Sequence, residues 1–168
     1  MPEITSPRDL FLHELGDILY VEKRLAEDVL PSLMEEVNDD ELRKGFEKHL
    51  RETEGHVENL EKAFEKLGEE PETEECIGFE GLKSEHDQLV RESSPDLIDL
   101  VDTGAAARTE HYEIAAYEGL IAMARALEER DVIELFEKNL KQEKDTLREI
   151  ESVAKRLSKE HAKESSAA

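Results

Sequence analysis

Apolar residues recur along most of the chain at spacings of three and four, which places them on one face of an α-helix. Four long segments have this pattern. The first begins at "SPRD", with Ser6 as N-cap and Pro7 at the first helical position. The second ends at Gly68, the third runs from "SSPD", which we expect to cap it as "SPRD" caps the first, to about Leu127, and the fourth follows the turn "EERD". The predicted apolar stripes are Leu12, Leu15, Leu19, Ala26, Val29 and Leu33; Leu42, Phe46, Leu50, Val57, Leu60, Phe64 and Leu67; Ile114, Tyr117, Leu120, Ile121, Ala124 and Leu127; and Val132, Phe136, Leu140, Leu147, Ile150, Ala154 and Leu157.

The connections between these segments predict the topology. Pro31 kinks the first helix or ends its regular part, and "NDDE" caps the second. Short turns join the helices within each pair, whereas a long connection with a short helix at about 79–92 joins the two pairs. This pattern predicts an all-α fold, a ferritin-like antiparallel four-helix bundle with a long crossover that carries a short fifth helix. We expect one domain over residues 1–160 and a disordered tail over 161–168.

Composition agrees with a helical protein and limits its location. Only 5% of the 168 residues are aromatic and 39% are charged, and no alternating β-branched run indicates a sheet. No apolar stretch is long enough to span a membrane, and the N-terminus lacks the features of a signal peptide. The single Cys76 cannot form an internal disulfide, so we expect a cytoplasmic protein.

Net charge is the most unusual global property. The chain has 44 acidic and 22 basic residues, a formal charge of -22, and the acid is spread along every helix. Such a surface repels phosphate backbones, which argues against nucleic-acid binding. Because salt screens self-repulsion, the charge favours a halophilic protein from a salt-rich cytoplasm over one that is merely soluble and acidic.

Polar residues interrupt the apolar side of every predicted helix. Any one of them alone is explained by a solvated carboxylate at the edge of the stripe or by a core histidine, but their coincidence near the middle of four helices favours a shared site. They are Glu22 on the first helix, His49, Glu52 and His56 on the second, Glu110 and Glu113 on the third, and Glu143 on the fourth.

Burial of these carboxylates requires compensation. One unpaired buried carboxylate costs several kcal/mol, whereas a whole domain is stable by only ~5–15 kcal/mol. No Lys or Arg lies on the inner stripes. Protonation of several carboxylates is one compensation, but it costs free energy at neutral pH, whereas two divalent cations would neutralise the cluster directly. Carboxylate oxygens with imidazole nitrogen suit iron or manganese, and zinc can also enter such a site. We therefore predict that Glu110 and Glu113 are metal ligands, one bridging and one terminal.

Several motifs resemble the YciF-like family of ferritin-like proteins: "LFLHELGDILYVEKRL", "HLRETEGHVENLE", "ECIGFEGL" and "EHYEIAAYEGL", with "EKDT" later. The resemblance covers about Leu10 to Ala154, and it implies a closed bundle, a homodimer, a dinuclear metal site and a role in stress response. The general ferritin-like plan has Glu-x-x-His on two helices, whereas this chain has a His-rich second helix and no His near Glu143. By motif position, the implied ligands are Glu22, Glu52, Glu110, Glu113 and Glu143, with nitrogen from His49 or His56.

Three functions compete at this point. The first is a dinuclear metal protein, most simply iron, that reacts with oxygen or peroxide as an oxidase or peroxidase would. The second is a structural or interaction dimer of the stress response with a vestigial site. The third, iron storage in a hollow cage, needs outer surfaces that one sequence does not reveal. Tyr117, one turn beyond Glu113, is either a hydrogen-bond donor to the site or a core residue.

Overall fold

A computed structural model describes the backbone of residues 4–167 and the side chains of residues 4–163. Among these residues the chain has helices and no strands, and none of the helices contains an apolar stretch of the length that spans a bilayer. The elements are α1 (Pro7–Arg24), a π-helical turn (Leu25–Val29), α2 (Leu30–Glu36), α3 (Asp40–Leu67), α4 (Ile77–Glu92), a 3-10 turn (Pro95–Leu97), α5 (Ile98–Ala126) and α6 (Arg130–Ala167). The four-helix bundle consists of α1 with α2, α3, α5 and α6, so the predicted fold is confirmed.

The helix boundaries follow local chemistry. The N-cap Ser6 accepts a hydrogen bond from the backbone of Asp9, whose carboxylate in turn accepts from the backbone N–H of Ser6. Gly68 ends α3 with a left-handed φ of 75°, as its position predicted. The expected cap at "SSPD" is wrong in detail, because Ser94 makes no capping bond and a 3-10 turn precedes α5.

Pro31 lies just after an irregular turn. Its missing N–H and its ring prevent a regular bond to the carbonyl four residues earlier, and the chain widens into the π-helical turn there. Leu30 N–H bonds to Leu25 O, five residues back, and both residues keep right-handed helical backbones. The first rod of the bundle therefore continues through α2 to Glu36.

Contacts at the two ends of the bundle define its topology. At one end, Arg8 at the start of α1 donates to Leu67 O at the end of α3 and to Glu129 after α5. At the other end, the backbone of Asp39 before α3 donates to Asp99 at the start of α5. Both α3 and α5 are thus antiparallel to α1, so the chain between them must travel the length of the bundle. The 16 residues of α4 cover about 24 Å of that path.

The crossover packs on the outside of α1 and α5. Gly16 O accepts from Glu74 N at 3.1 Å, and Tyr20 Oη donates to Glu80 at 2.8 Å. Helix α1 therefore packs against three parts of the chain: α3, α5 and the crossover. As a result, a larger part of its surface is buried than the predicted apolar stripe covers. The additional buried residues on this first rod include Phe11, Ile18, Val21, Leu25 and Leu30.

The C-terminal segment differs from the expected disordered tail. Helix α6 continues through most of residues 161–168, to Ala167. His161 is held there by Asp96 O, which lies 2.7 Å from its Nε2. Ala168 lies outside the described residues.

Candidate metal centre

Six of the seven residues singled out by their helical spacing are buried in the bundle. They are Glu22, His49, His56, Glu110, Glu113 and Glu143, and their exposed fractions lie between 0% and 2%. The spacing of three between Glu110 and Glu113 aims both side chains at the core from one face of α5. The spacing of seven between His49 and His56 aims two imidazoles from α3 at different depths.

These residues form two donor sets that share one carboxylate. His49, Glu110, Glu113 and Glu143 each offer a ligand atom within 4.8 Å of the others, and Glu22, His56 and Glu143 do the same. Glu143 is the member common to both. The assignment of the bridging position to Glu110 or Glu113 stays a prediction, and Glu143 is a further candidate for it.

The donor set of His49, Glu110, Glu113 and Glu143, here called the His49 set, contains more oxygen atoms without a hydrogen-bond partner than the set of Glu22, His56 and Glu143, the His56 set. His49 Nε2 lies 3.2 Å from Glu110 Oε1 without the alignment of a hydrogen bond, while its Nδ1 lies 3.4 Å from the hydroxyl of Thr146. Both oxygens of Glu113 and Oε2 of Glu143 are buried without a hydrogen-bond partner, while the imidazole of His56 is a nearby donor to Glu143 Oε1, at 2.8 Å. This set therefore presents carboxylate oxygens and one imidazole nitrogen to an enclosed space with few donors to satisfy them.

The His56 set is paired more completely. His56 Nδ1 lies 2.8 Å from Glu143 and 3.2 Å from Glu22, and Nε2 lies 3.2 Å from Gln142 Oε1. An amide oxygen only accepts, so Nε2 carries a proton and Nδ1 faces the two carboxylates. Either a second proton on Nδ1 or a cation between Nδ1 and the two carboxylates would satisfy the facing oxygens of Glu22 and Glu143.

A buried polar chain holds Glu22 in position. Tyr117 Oη donates to Glu22 Oε1 at 2.5 Å, and Asn139 Nδ2 donates to Tyr117 Oη at 3.0 Å. Asn59 Nδ2 donates to Asn139 Oδ1 at 2.7 Å. Tyr117 thus contacts a candidate ligand directly. No sequence pattern singled out Asn139, Asn59 or Gln142, although Asn139 and Gln142 lie four and one residues before Glu143.

Glu52 lies at the margin of the two donor sets. Its side chain is 20% exposed, and Lys48 Nζ lies 3.9 Å from Oε1. Its other oxygen, Oε2, is buried without a hydrogen-bond partner, and its charge helps to raise the pKa of Glu110. Glu52 belongs to neither donor set, so its role as a metal ligand stays a prediction.

Burial changes the proton affinities of the site. Desolvation, together with the charges of Glu22 and Glu52, raises the pKa of Glu110 to about 8. Burial and the nearby carboxylate of Glu143 hold the pKa of Glu113 well above its usual range. Burial alone would lower the pKa of His56, but the adjacent carboxylates outweigh it and raise that pKa to about 11. In the absence of a cation, the cluster therefore retains protons at neutral pH.

The donor set fits divalent cations. Four fully ionised carboxylates in the two sets carry four negative charges, which two divalent ions balance. Each buried acceptor without a partner costs about 1–3 kcal/mol, and most such atoms in the described side chains belong to this cluster. One imidazole per set, together with carboxylates of which one is shared, matches the ligand preference of iron, manganese or zinc.

Two residues next to these ligands point away from the site. His111 is exposed, while Tyr112 Oη donates to Asp17 at 3.1 Å and lies 3.0 Å from Cys76 Sγ. Cys76 is buried at the N-cap of α4, and burial raises the pKa of its thiol. Cys76 is therefore a packed residue of the connection between α3 and α4.

Comparison with known proteins gives a consistent set of relatives. The profile of the family described as a domain of unknown function, DUF892, matches residues 6–163. Protein YciF of Escherichia coli is 31% identical over 140 residues, which cover 82% of this chain and 84% of YciF. Its solved structure, described as that of a stress protein, superimposes with a TM-score of 0.85 at 29% identity, over 93% of this chain and 99% of that one.

Two further solved structures have the same fold. YcfI from Rhodopseudomonas palustris has a TM-score of 0.86 at 34% identity, over 89% of this chain and 96% of its own. A protein from Xanthomonas campestris has a TM-score of 0.74 at 20% identity, over 96% and 99% of the two chains. These similarities extend over most of each chain.

Proposed function

The chain belongs to the DUF892 family, and on that premise we propose that it binds two divalent metal ions inside its four-helix bundle. The observation that carries the proposal is the group of buried carboxylate oxygens without partners on Glu110, Glu113 and Glu143. Iron is the proposed metal, with manganese and zinc as the alternatives that the same ligands accept.

Each donor set would hold one ion. His49, Glu110 and Glu113 would hold one, Glu22 and His56 the other, and Glu143 would lie between them. The surrounding buried side chains exclude water, and the Tyr117 hydroxyl keeps Glu22 oriented towards the site. Thr146 and Gln142 fix the rings of His49 and His56 by contacting the nitrogen that faces away from the carboxylates.

Reaction with oxygen or peroxide is part of the proposal. Iron in this position would supply the electrons for such a reaction. The chain's contribution is a site enclosed by buried side chains, where binding of a cation would displace the protons that the raised pKa values of Glu110 and Glu113 retain in the metal-free protein. A role in stress response, supported by the similarity to the E. coli stress protein, would follow from consuming an oxidant or holding iron.

The proposed protein is a cytoplasmic homodimer. The free and buried Cys76 supports a reducing compartment, since it has no disulfide partner. Exposed apolar side chains such as Ile77 and Leu97 offer surface for contact with a second copy. Size-exclusion chromatography with light scattering tests this part of the proposal, and a monomer or a large cage would contradict it.

Metal content after anaerobic loading with ferrous iron tests the site. We expect two irons per chain in the wild type and a loss of both in Glu143→Gln, since this residue is common to the two sets. Glu134→Gln is the matched control, because it makes the same change on an exposed position of α6. Well under one iron per chain in the wild type would overturn the proposal, as would equal iron in Glu143→Gln and the control.

The second candidate is a structural or interaction dimer whose site is vestigial. The pairing of His56 with Glu22 and Glu143 favours it, because a protonated imidazole satisfies half of the cluster without metal. This candidate predicts that Glu110→Gln with Glu113→Gln removes repulsion, raises Tm and leaves cellular function intact. A lower Tm in metal-replete buffer, together with lost metal uptake, would count against it.

A further inference from the structure

A second group of metal-ligating side chains lies outside the bundle core. His86 projects from the crossover helix α4, Asp102 from α5, and Glu36 from the end of α2. One ligand atom from each lies within 4.8 Å of the other two. His86 Nε2 is 2.8 Å from Asp102 Oδ1 and 4.0 Å from Glu36 Oε2. None of these three residues belongs to the site described above.

The buried acid of this group is only half satisfied. Asp102 is 0% exposed, and its Oδ1 contacts His86, but its Oδ2 is buried without a hydrogen-bond partner. Among the side chains that the structure describes, no Lys or Arg forms an ion pair with Asp102 or Glu36. A histidine–aspartate pair alone would account for the contact of Asp102 Oδ1 with His86. It would not account for the burial of Oδ2 without a partner or for the position of Glu36 near the same nitrogen.

The outer nitrogen of His86 has the support that metal-bound histidines usually have. Its Nδ1 lies 3.3 Å from Asp87 Oδ1, and Asp87 is itself paired with Lys83 at 2.9 Å. A carboxylate at that nitrogen fixes the ring and holds a proton at Nδ1, so Nε2, which donates to Asp102 in the metal-free protein, is the nitrogen that would release its proton to bind a cation. Nε2 is the atom that faces Asp102 and Glu36.

We propose that Glu36, His86 and Asp102 bind one divalent transition-metal ion, of the zinc or manganese class, that fastens the crossover helix to the bundle. Two carboxylates and one imidazole are a common ligand set for these ions, and water completes the coordination. Ligand atoms around a tetrahedral zinc ion are about 3.3 Å apart, so the observed separations need only small side-chain rotations. The ion links three elements, α2, α4 and α5, and the whole of α3 lies between α2 and the other two in the sequence.

Zinc content of three purified proteins tests this site. After equilibration with Zn²⁺ and removal of excess, we expect His86→Gln to contain one zinc per chain fewer than the wild type. His13→Gln is the control, because His13 is partly buried on α1, at the opposite end of the bundle from Glu36. Its zinc content should equal that of the wild type. Equal zinc in the wild type and in His86→Gln overturns the proposal. Its failure would not affect the central site, which is tested through Glu143.

A measurement on the wild type covers the case in which the variant does not fold. Imidazole nitrogen NMR resolves the two ring nitrogens of each histidine. We expect Zn²⁺ to shift the Nε2 signal of His86, with Nδ1 still protonated and next to Asp87, while the ring of His13 stays unchanged. A His86 ring that does not respond up to zinc saturation would overturn the proposal.

Discussion

Glu143 Oε1 lies 2.8 Å from His56 Nδ1, and the same carboxylate belongs to the donor set of His49. One side chain on α6 therefore connects two imidazoles that are seven residues apart on α3. Because the two donor sets share this carboxylate, the charge state of one set affects the other. The pKa of Glu143 reflects this position, since burial raises it while the two histidines act to lower it.

Metal-free protein should become more stable as the pH falls from about 8 towards 4.5. The buried Glu110 has a folded-state pKa of about 8, compared with 4.5 for an ordinary glutamate, so the folded state binds its proton more tightly than the unfolded state does. The resulting stability is fully present below the unfolded pKa and is lost as the pH rises through about 8. Thermal unfolding of chelator-treated protein over this pH range measures it.

Acidification also stabilises the fold by reducing repulsion among the surface carboxylates. A matched variant separates this contribution from that of the buried groups. In Glu110→Gln with Glu113→Gln, the buried titration is removed while the surface is unchanged, so the dependence of Tm on pH should be flatter. High salt screens the surface contribution in both proteins but leaves the buried one. Identical pH profiles of the wild type and the double variant at high salt would refute the assignment.

Tyr117→Phe should destabilise the fold more than its size suggests. The change removes the donor to Glu22 and the acceptor of Asn139, all of which are buried, and each group left without a partner costs about 1–3 kcal/mol. Tyr20→Phe, which breaks a half-buried bond to Glu80, should have a smaller effect. Chemical denaturation measures both, and an equal or greater loss in Tyr20→Phe would contradict the role of Tyr117.

Two glycines on neighbouring helices should respond to alanine in opposite ways. A Cβ at Gly16 would lie 3.0 Å from Glu72 O, because the crossover passes directly over α1 there, and such overpacking typically costs ~1–3 kcal/mol. A Cβ at Gly55 meets nothing within 4 Å, so Gly55→Ala should gain about 0.5–1 kcal/mol in helix stability. Urea unfolding compares them, and stabilisation by both changes would show that the crossover does not press on α1.

Salt should raise Tm. With 44 acidic and 22 basic residues, at least half of the acids have no basic partner of their own. An increase in ionic strength from about 0.1 to 1 M shortens the screening length from about 10 to 3 Å and weakens their repulsion. It also weakens surface ion pairs such as Lys48–Glu149, but these are fewer than the unpaired acids. A Tm that falls in potassium chloride would contradict the halophilic interpretation.

The fold could be predicted because several helices carry their own start or stop signals. Ser6 and Asp39 cap the N-termini of their helices and Gly68 ends α3, as their residue types alone predict. The length of the crossover distinguishes this topology from a simple up-and-down bundle. Ser94 did not act as expected, because the chain leaves it through a 3-10 turn. The wide buried arc of α1 depends on the crossover packing across it, which no local pattern contains.

The candidate site was predictable where it follows helical spacing. Glu22, the histidines of α3 and the pair on α5 lie in line with apolar residues, so their inward direction is a property of one helix at a time. The shared position of Glu143 and the marginal position of Glu52 depend on the relative depth of separate helices. Asn139 and the Glu36–His86–Asp102 group join residues from different elements, and such contacts leave no trace in a single sequence.

Anomalous X-ray diffraction from crystals of iron-loaded protein, with data on both sides of the iron absorption edge, tests the central claim most directly. Two peaks are expected, one beside His49, Glu110 and Glu113 and one beside Glu22 and His56, with Glu143 between them. Crystals loaded with excess ferrous iron that show no anomalous peak at either donor set would contradict the account.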